Sequence, residues 1–430
     1  MTNSFKLNKK TLIISSWAPP MVGGPQNLYN LFSQFSKDSY CILTSEKNIA
    51  STVESGVSGN WLPCQYFYYD NAGLLAAQKT PSPIQTAAQS IPKTSLKQRA
   101  TLFISKIPFV GKVLHDYLGA IYFIRLLIRR TKQTIIDSRA ENLMGISDAG
   151  PSLITVWLVS RITKIPYTIY LFDIYKGNLL PRPYKFFAKL LEKLVMTHAS
   201  RVLVTNEGTE AYYKQQYGNN IKTAVIYNST FADQYEKVRT PYQPRSPYRI
   251  VFTGNVYWAQ EQSVLNLVSA MELLTDIPVE LHLYVPKPTE KLQSVVVNKA
   301  NIKLLAANQS EMPKIQSDAA LLFLPLAWNT ESPDIIATAT PGKFTDYLAS
   351  GRPMLIHAPD YAYVSQYSKK HQIALVVDQN DTHLLADTIR KFLQKPEDGQ
   401  RYIQNAIKIF NQNHDAVKNA EKLANILNAL

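Results

Sequence analysis

Short apolar segments alternate with amphipathic segments along this chain, and the alternation begins again after a polar break. Residues 11–15 have the pattern of a buried strand, and the helix that follows is predicted to open at Gly23 and Gly24. The pattern restarts at residues 249–253, after residues 236–248, which carry three prolines. Strands that are apolar on both faces and separated by helices are typical of parallel sheets. The sequence therefore predicts an α/β protein with two doubly wound, Rossmann-like domains that face each other across a cleft.

The break also sets the predicted domain limits. We assign residues 1–235 to a first domain and residues 249–396 to a second, with residues 236–248 as the linker. Residues 397–430 are predicted to form helices that cross back to the first domain. Doubly wound sheets bind ligands beyond the carboxyl ends of their strands, which places the predicted site in the cleft between the domains.

The chain is basic, and half of its excess positive charge lies in one segment. Its 46 Lys and Arg residues outnumber 32 Asp and Glu residues, for a net charge of +14. Such a balance favours phosphates, nucleic acid or an anionic membrane as partners. Residues 95–135 hold eight basic residues and one acid among many apolar residues. This composition is typical of an amphipathic segment on an anionic bilayer, and the alternative is a helix that packs on the first sheet.

Cysteine content and hydropathy indicate the compartment. Cys41 and Cys64 cannot supply a disulfide framework or a dedicated zinc site, which favours a reduced environment. The apolar run at residues 11–14 is shorter than a signal-peptide core of about 7–15 residues, and no run reaches the roughly 18 apolar residues of a spanning helix. We expect a cytoplasmic protein whose membrane contact, where there is any, is peripheral at the inner face of the cell membrane.

A glycine turn follows the first predicted strand of each domain. Gly23 and Gly24 are the only adjacent glycines in the sequence, and Gly254 and Asn255 follow the strand at residues 249–253. Glycines at such turns let backbone N–H groups approach a ligand, and a helix N-terminus favours negative charge. Both turns are predicted to bind the donor; the alternative is a turn that merely needs a positive φ.

A third motif spans residues 339–356. Lys343 is predicted in the first turn of a short helix, where an ammonium group and the helix N-terminus together suit a phosphate. Asp346 lies three residues further on the same helix face, where it can accept hydrogen bonds from sugar hydroxyls. The alternative is a lysine at a helix start and a solvated aspartate.

These motifs, in this order, resemble those of the GT-B glycosyltransferases of family 4 (glycosyl transferases group 1), which use nucleotide-sugar donors. Residues 341–353, PGKFTDYLASGRP, resemble the family's donor segment P-x-K-x-x-E-Y-L-A-x-G-K-P. Gly23 and Gly24 resemble its first glycine loop, and residues 225–228 its V-I-x-N strand end. Residues 146–175 are similar to a stretch that contains I-P-W and R-D-P-W.

The resemblance implies that the second domain binds the nucleotide sugar and the first domain the acceptor. Lys343 would stabilise the diphosphate leaving group, and Asp346 would bind the donor ribose. Gly24 and Gly254 would let the backbone close on phosphate and sugar. Family members transfer the sugar with retention and without a bound metal, so the resemblance implies no cofactor and no metal. We expect a glycan or lipid-linked acceptor and a role in cell-surface polysaccharide synthesis.

Asp173 and Tyr347 complete the predicted site. Asp173 is expected at a strand end facing the cleft, where it would act with Lys343 as a catalytic residue and contact acceptor or sugar. Its alternative role is to cap the following turn. Tyr347 belongs to the donor segment and is predicted to bind the donor.

Some positions depart from the family pattern. Thr338 stands where the family often has Glu, Gln260 and Glu261 where it has Arg and Lys, and Phe172 replaces the Arg of R-D-P-W. A catalytically degenerate member is therefore one alternative, and a GT-B-fold sugar-nucleotide epimerase is another. A nucleic-acid-binding protein is a third, but the sequence lacks a basic and aromatic module of that kind, so we expect no nucleic acid partner.

Overall fold

Two parallel sheets, one in each half of the chain, organise the protein. The computed structural model describes residues 5–56, 58–69 and 110–430. The strands of the first sheet are β1 (Thr11–Ile14), β2 (Tyr40–Ser45), β3 (Gln65–Tyr69), β4 (Asn142–Ile146), β5 (Tyr167–Leu171), β6 (Arg201–Val204) and β7 (Thr223–Val225). Those of the second sheet are β8 (Tyr248–Thr253), β9 (Val279–Tyr284), β10 (Ile302–Leu305), β11 (Leu321–Pro325), β12 (Met354–His357) and β13 (Leu375–Val377).

Helices cover both sheets. Those of the first half are α1 (Gly24–Phe32), α2 (Glu46–Glu54), α3 (Val110–Ser138), α4 (Pro151–Thr163), α5 (Arg182–Thr197) and α6 (Glu207–Tyr217). The remaining ones are α7 (Ala232–Glu236), α8 (Glu261–Ala270), α9 (Glu290–Val296), α10 (Met312–Ser317), α11 (Pro333–Thr338), α12 (Gly342–Ala349), α13 (Tyr363–His371), α14 (Thr382–Gln394), α15 (Gly399–Ile409) and α16 (Ala416–Asn428).

The order of the strands reverses once in each sheet. The first sheet runs β3-β2-β1-β4-β5-β6-β7, and the second runs β10-β9-β8-β11-β12-β13. In the first sheet, β2 and β3 lie on one side of β1, and β4 to β7 lie on the other side. In the second sheet, β9 and β10 lie on one side of β8, and β11 to β13 lie on the other side. The carboxyl end of a strand at such a reversal is where doubly wound sheets bind ligands. Both predicted glycine turns follow these two strands, at Gly23 and Gly24 and at Gly254.

The buried faces of the first sheet explain its apolar strands. In β1, Leu12 and Ile14 pack into one core cluster, whereas Ile13 packs into a second cluster on the opposite face. Since successive side chains of a strand point to opposite faces, a strand covered on both sides must be apolar throughout. All four residues of β1 are buried, as that rule requires.

The end of the chain packs on the first half. Leu423 and Leu427 of α16 share a core cluster with Leu28 and Leu31 of α1. Beside this contact, Thr230 and Asp415 form a parallel β-bridge, so the two chain crossings between the halves run next to each other. The residue limits of the predicted domains stay a prediction.

The alternation of strands and helices is confirmed, but β3 and α5 were not predicted from the sequence. The β3 sequence is Gln-Tyr-Phe-Tyr-Tyr, and its last four residues are buried. Because tyrosine has a polar hydroxyl group, this segment does not read as an apolar strand. Helix α5 has apolar side chains at helical spacing, a pattern in the sequence that could have predicted it. Of the predicted basic segment, residues 110–135 lie in α3, and residues 95–109 lie outside the described residues. In the described part of the chain, no helix has the length and hydropathy of a membrane span.

The packing of α16 can be tested by truncating Leu423. This side chain is almost completely buried, and we expect Leu423→Ala to lower the free energy of unfolding by about 2–5 kcal/mol because it leaves a cavity between α16 and α1. Denaturant titration followed by circular dichroism measures the change. Leu384→Ala, at a partly exposed position of α14, is the matched control and should change stability far less. Equal losses in both variants would contradict the packing.

Candidate donor site between the two sheets

The turn after β8 brings two separately predicted residues together. Gly254 has φ = 113°, in the region that favours glycine. A Cβ atom at this position would lie 3.2 Å from Cε and 3.3 Å from Nζ of Lys343. The backbone conformation therefore favours glycine, and a side chain here would press on the end of Lys343. The turn and the first residues of α12 form one site at the reversal point of the second sheet.

Lys343 is a half-buried cation in this site. Its Nζ donates a hydrogen bond to Oε1 of Gln260 at 3.3 Å and lies 4.0 Å from the centroid of the Phe252 ring. Burial lowers the pKa of the Lys343 ammonium to about 7. No ion pair between described residues involves this side chain. A desolvated ammonium without an acid gains more from an anionic ligand than a solvated one does.

Positions that depart from the family pattern take part in local structure. Gln260 supplies a neutral acceptor to Lys343 rather than a second cation. Glu261 accepts a hydrogen bond from Lys291 at 3.0 Å. The Thr338 hydroxyl donates to the carbonyl oxygen of Asp334 in its own helix, at 2.7 Å. These contacts explain how the substitutions are accommodated.

Asp346 lies one turn beyond Lys343 on α12. Its carboxylate lies near the side chains of Thr230 and Tyr235, which belong to the crossing from the first half to the second. The Tyr235 hydroxyl itself donates a hydrogen bond to Oε1 of Gln316 at 2.8 Å. Burial raises the pKa of the Asp346 carboxyl to about 6. The carboxylate is half-buried rather than freely solvated, and its contact with a ribose stays a prediction.

Tyr347 lies in the core of the second half, and its contact with the donor stays a prediction. The side chain is completely buried in the core of the second half. Its hydroxyl accepts a hydrogen bond from the backbone N–H of Thr253 at 3.0 Å and lies 3.2 Å from the Thr253 hydroxyl. Since Thr253 immediately precedes Gly254, Tyr347 ties the end of β8 to α12. It is a positioning residue for the contact between Gly254 and Lys343.

The first glycine turn is built differently. Gly23 has φ = 88°, and a Cβ atom there would meet nothing within 4 Å. At Gly24, a Cβ atom would lie 2.8 Å from the ring of Phe172. The missing side chain of Gly24 is therefore explained by packing against Phe172, the residue that replaces the family's Arg. Backbone contacts of Gly23 and Gly24 with phosphate or sugar stay a prediction.

Asp173 faces the turn after β8 from the opposite half. It lies just beyond β5, is half-buried, and is close enough to Tyr257 to interact electrostatically with its hydroxyl. Burial raises the pKa of the Asp173 carboxyl to about 6. Tyr257 and Asn255 are both exposed in the turn after β8. Asp173 therefore lies near the turn that contains Asn255, and the contacts of both residues with substrate stay a prediction.

Two asparagines that were not predicted join the halves at the loop before α12. The Asn206 amide is completely buried and donates to the carbonyl oxygen of Thr338 at 2.7 Å and to the hydroxyl of Thr340 at 2.8 Å. The Asn228 amide donates to the carbonyl oxygen of Thr340, also at 2.7 Å. Asn228 could have been found from its place in the V-I-x-N strand end, whereas Asn206 appeared to be an ordinary helix cap.

Asp148 is a second feature that was not predicted. Its buried carboxylate accepts hydrogen bonds from the backbone N–H groups of Ser16, at 2.5 Å, and Gly150, at 3.0 Å, and from the Ser152 hydroxyl. Burial raises the pKa of this carboxyl. The contacts hold the loops after β1 and β4 together at the reversal point of the first sheet. In the sequence, Asp148-Ala-Gly has the composition of a surface turn.

Comparison with known proteins establishes the architecture. No protein-family model matches the sequence, and no curated protein matches it either. Solved structures match over nearly the whole chain. Sucrose-phosphate synthase from Thermosynechococcus elongatus has a TM-score of 0.65 at 12% identity and covers 97% of this chain and 98% of its own. The fold is GT-B.

Two further GT-B structures have similar scores. HepE from Anabaena, in complex with UDP and glucose, has a TM-score of 0.65 at 13% identity, over 98% of this chain and 100% of its own. A UDP-forming α,α-trehalose-phosphate synthase from Burkholderia vietnamiensis has a TM-score of 0.61 at 11% identity. The match covers 98% of this chain and 100% of that synthase. The predicted fold class is confirmed, and membership of family 4 stays a prediction.

The contact between Gly254 and Lys343 predicts opposite effects for two glycine substitutions. Gly254→Ala should destabilise the protein by roughly 1–3 kcal/mol, because alanine is strained at this φ and its Cβ presses on the ammonium. Gly342→Ala is the control, since a Cβ at that helical position meets nothing within 4 Å. It should leave stability unchanged or raise it by about 0.4–1 kcal/mol. Thermal unfolding of both variants measures the difference; a neutral Gly254→Ala would refute the contact.

Proposed function

We propose that this GT-B protein transfers a sugar from a nucleotide-sugar donor to a glycan or lipid-linked acceptor. The observation that carries the proposal is the half-buried Lys343 ammonium, held beside the Gly254 turn at the carboxyl end of β8. Cleavage of an anomeric C–O bond leaves extra negative charge on the departing diphosphate. A fixed cation at that position stabilises the transition state more than the ground state.

In the proposal the two halves bind different substrates, as the resemblance to family 4 implies. In the proposal, the second half binds the nucleoside diphosphate at Lys343, and Asp346 accepts hydrogen bonds from the ribose. HepE, one of the similar structures, has been crystallised with UDP and with UDP-glucose, which supports a donor of this class. The first half then binds the acceptor, with Asp173 facing the reacting sugar.

The proposal includes retention of configuration and independence of metal ions, as in family 4. In the described part of the chain, no group of three or more His, Cys, Asp and Glu side chains is arranged to hold a metal ion. Metal independence is inferred from the role of Lys343 as the leaving-group cation, and a chelator should leave the rate unchanged. We place the enzyme in cell-surface polysaccharide synthesis in the cytoplasm, at the inner face of the membrane.

The role of Lys343 predicts a pH-dependent affinity for the donor. Only the protonated amine attracts a diphosphate, and its pKa of about 7 means that the proton is lost as pH rises through neutrality. The dissociation constant should therefore rise by up to about tenfold per pH unit above pH 7. Isothermal titration with UDP-glucose, or with the best ligand of a nucleotide-sugar screen, measures this slope.

Lys343→Met supplies the matched comparison, because methionine keeps much of the side-chain length without the charge. We expect its donor affinity to fall at least about tenfold at pH 6 and to lose the pH slope. Its ligand-free form should unfold at a higher temperature, since a desolvated charge has been removed. Lys391→Met, at an exposed position of α14, should behave as the parent protein does. A ligand that stabilises Lys343→Met as well as the parent would exclude the assigned role.

Asp173→Asn tests the acceptor side of the cleft. The substitution preserves size and removes the titrating carboxyl whose pKa is about 6. If Asp173 contacts the reacting groups, kcat should fall by about 10²–10⁴-fold while donor affinity changes little. Single-turnover rates and donor titrations separate the two quantities. An unchanged kcat would remove Asp173 from the mechanism.

A further inference from the structure

Helix α5 carries two lines of side chains along its outer face. The apolar line is Phe186, Leu190 and Leu194, which are 50%, 65% and 42% exposed. The basic line is Lys185, Lys189 and Lys193. Each line has one residue every four positions, so each follows the helix surface, and the two lines lie side by side.

The acid of α5 does not neutralise these lysines. Glu192 is the one acidic residue of the helix, and it is buried on the inner face. Its carboxylate accepts hydrogen bonds from the hydroxyl groups of Tyr213 and Tyr217 and from the backbone N–H of Lys176. The outer face of α5 is therefore both apolar and positively charged.

Helix α3 continues this surface. Leu114, Leu118 and Tyr122 are exposed at intervals of four residues, and the same side of the helix continues into Arg125 and Arg129, which are also exposed. Near its start, the Tyr117 ring makes edge contacts with the rings of Phe186 and Phe187 of α5, with centroids 5.6 and 6.2 Å apart. We refer to the exposed side chains of α3 and α5 together as the α3/α5 face.

The composition of the α3/α5 face indicates which partner covers it. Contiguous exposed apolar side chains mark interaction sites rather than ordinary solvated surface. The exposed acids here are Asp116 and Asp137. They face seven exposed or half-exposed basic residues, which are Arg125, Arg129, Lys132, Arg182, Lys185, Lys189 and Lys193. A second copy of the chain would bring two basic surfaces together, which like-charge repulsion opposes.

We infer that the α3/α5 face docks on an anionic lipid bilayer. Helices with Phe and Leu beside lines of Lys and Arg lie in the interface of such membranes, with apolar side chains among the acyl chains and ammonium groups at the lipid phosphates. The α3/α5 face does not include Lys343, so the test of docking is independent of the tests of sugar transfer.

Docking would also orient the cleft. Helix α5 follows β5 and α3 leads into β4, so both helices begin at the carboxyl edge of the first sheet. A groove of about 400 Å³ lies between the N-terminal parts of the two helices and is lined by His115, Asp116, Arg182 and Tyr184. A bilayer under the α3/α5 face would therefore lie next to the edge at which the first half is proposed to bind its acceptor.

The test compares vesicle binding of the full chain and of matched variants. Vesicles of phosphatidylcholine with about one third phosphatidylglycerol should sediment with the protein, and pure phosphatidylcholine vesicles should not. The triple variant Lys185→Gln, Lys189→Gln and Lys193→Gln should bind the anionic vesicles roughly a hundredfold more weakly. A second triple variant, Phe186→Ser, Leu190→Ser and Leu194→Ser, should also bind more weakly, because the apolar contact is lost.

The control removes three exposed lysines from the second half, Lys391→Gln, Lys395→Gln and Lys408→Gln, and so has the same net charge as the first variant. Retained binding in this control, with loss in the α5 variants, supports the inference. Absence of binding by the parent chain, or equal loss in the control, overturns it. If the serine variant instead dissociates a dimer on size-exclusion chromatography while vesicle binding is unchanged, the face belongs to a second copy. Thermal unfolding confirms that each variant is folded.

Discussion

The desolvated ammonium of Lys343 is the constraint on which the rest of the candidate site depends. Its surroundings are a ring face, a neutral amide and a glycine turn, none of which carries a negative charge. The protein therefore holds a cation whose desolvation is only partly offset, and an anionic ligand completes the arrangement. The hydrogen bond from Thr253 to Tyr347 keeps the turn and α12 together, so the ammonium has a defined position before any ligand arrives.

That position also depends on the opposite half. Asn206 and Asn228 hold the loop that leads into α12, and Asp346 contacts the crossing between the halves. A change in the relative placement of the two sheets would therefore be transmitted to Lys343 through buried hydrogen bonds. The α3/α5 face lies on the outer side of the first sheet, away from Lys343. Its basic and apolar side chains bear on the location that we infer for the protein, whereas the cleft bears on its ligands.

Much of this was predictable from local patterns. The apolar strands and intervening helices predicted the parallel sheets because a strand covered on both faces admits few polar residues. The segment from Pro341 to Pro353 indicated a helix start with Lys343 in its first turn, and Gly254 indicated a turn with positive φ. The burial of Tyr347 was not predicted because a tyrosine in a donor motif can face either the ligand or the core, and periodicity within one short helix does not distinguish them. Asp148 and Asn206 were missed because their partners are far away in the sequence.

The sequence by itself determined the secondary-structure alternation, the two glycine turns and the lysine at the start of α12, since each depends on neighbouring residues alone. Only the tertiary structure decided that Lys343 lies beside the Gly254 turn, that Tyr347 is buried, and that α3 and α5 pack together through Tyr117 and Phe186. These contacts join residues on different elements, and the packing of whole sheets and helices sets their distances, which no local pattern encodes.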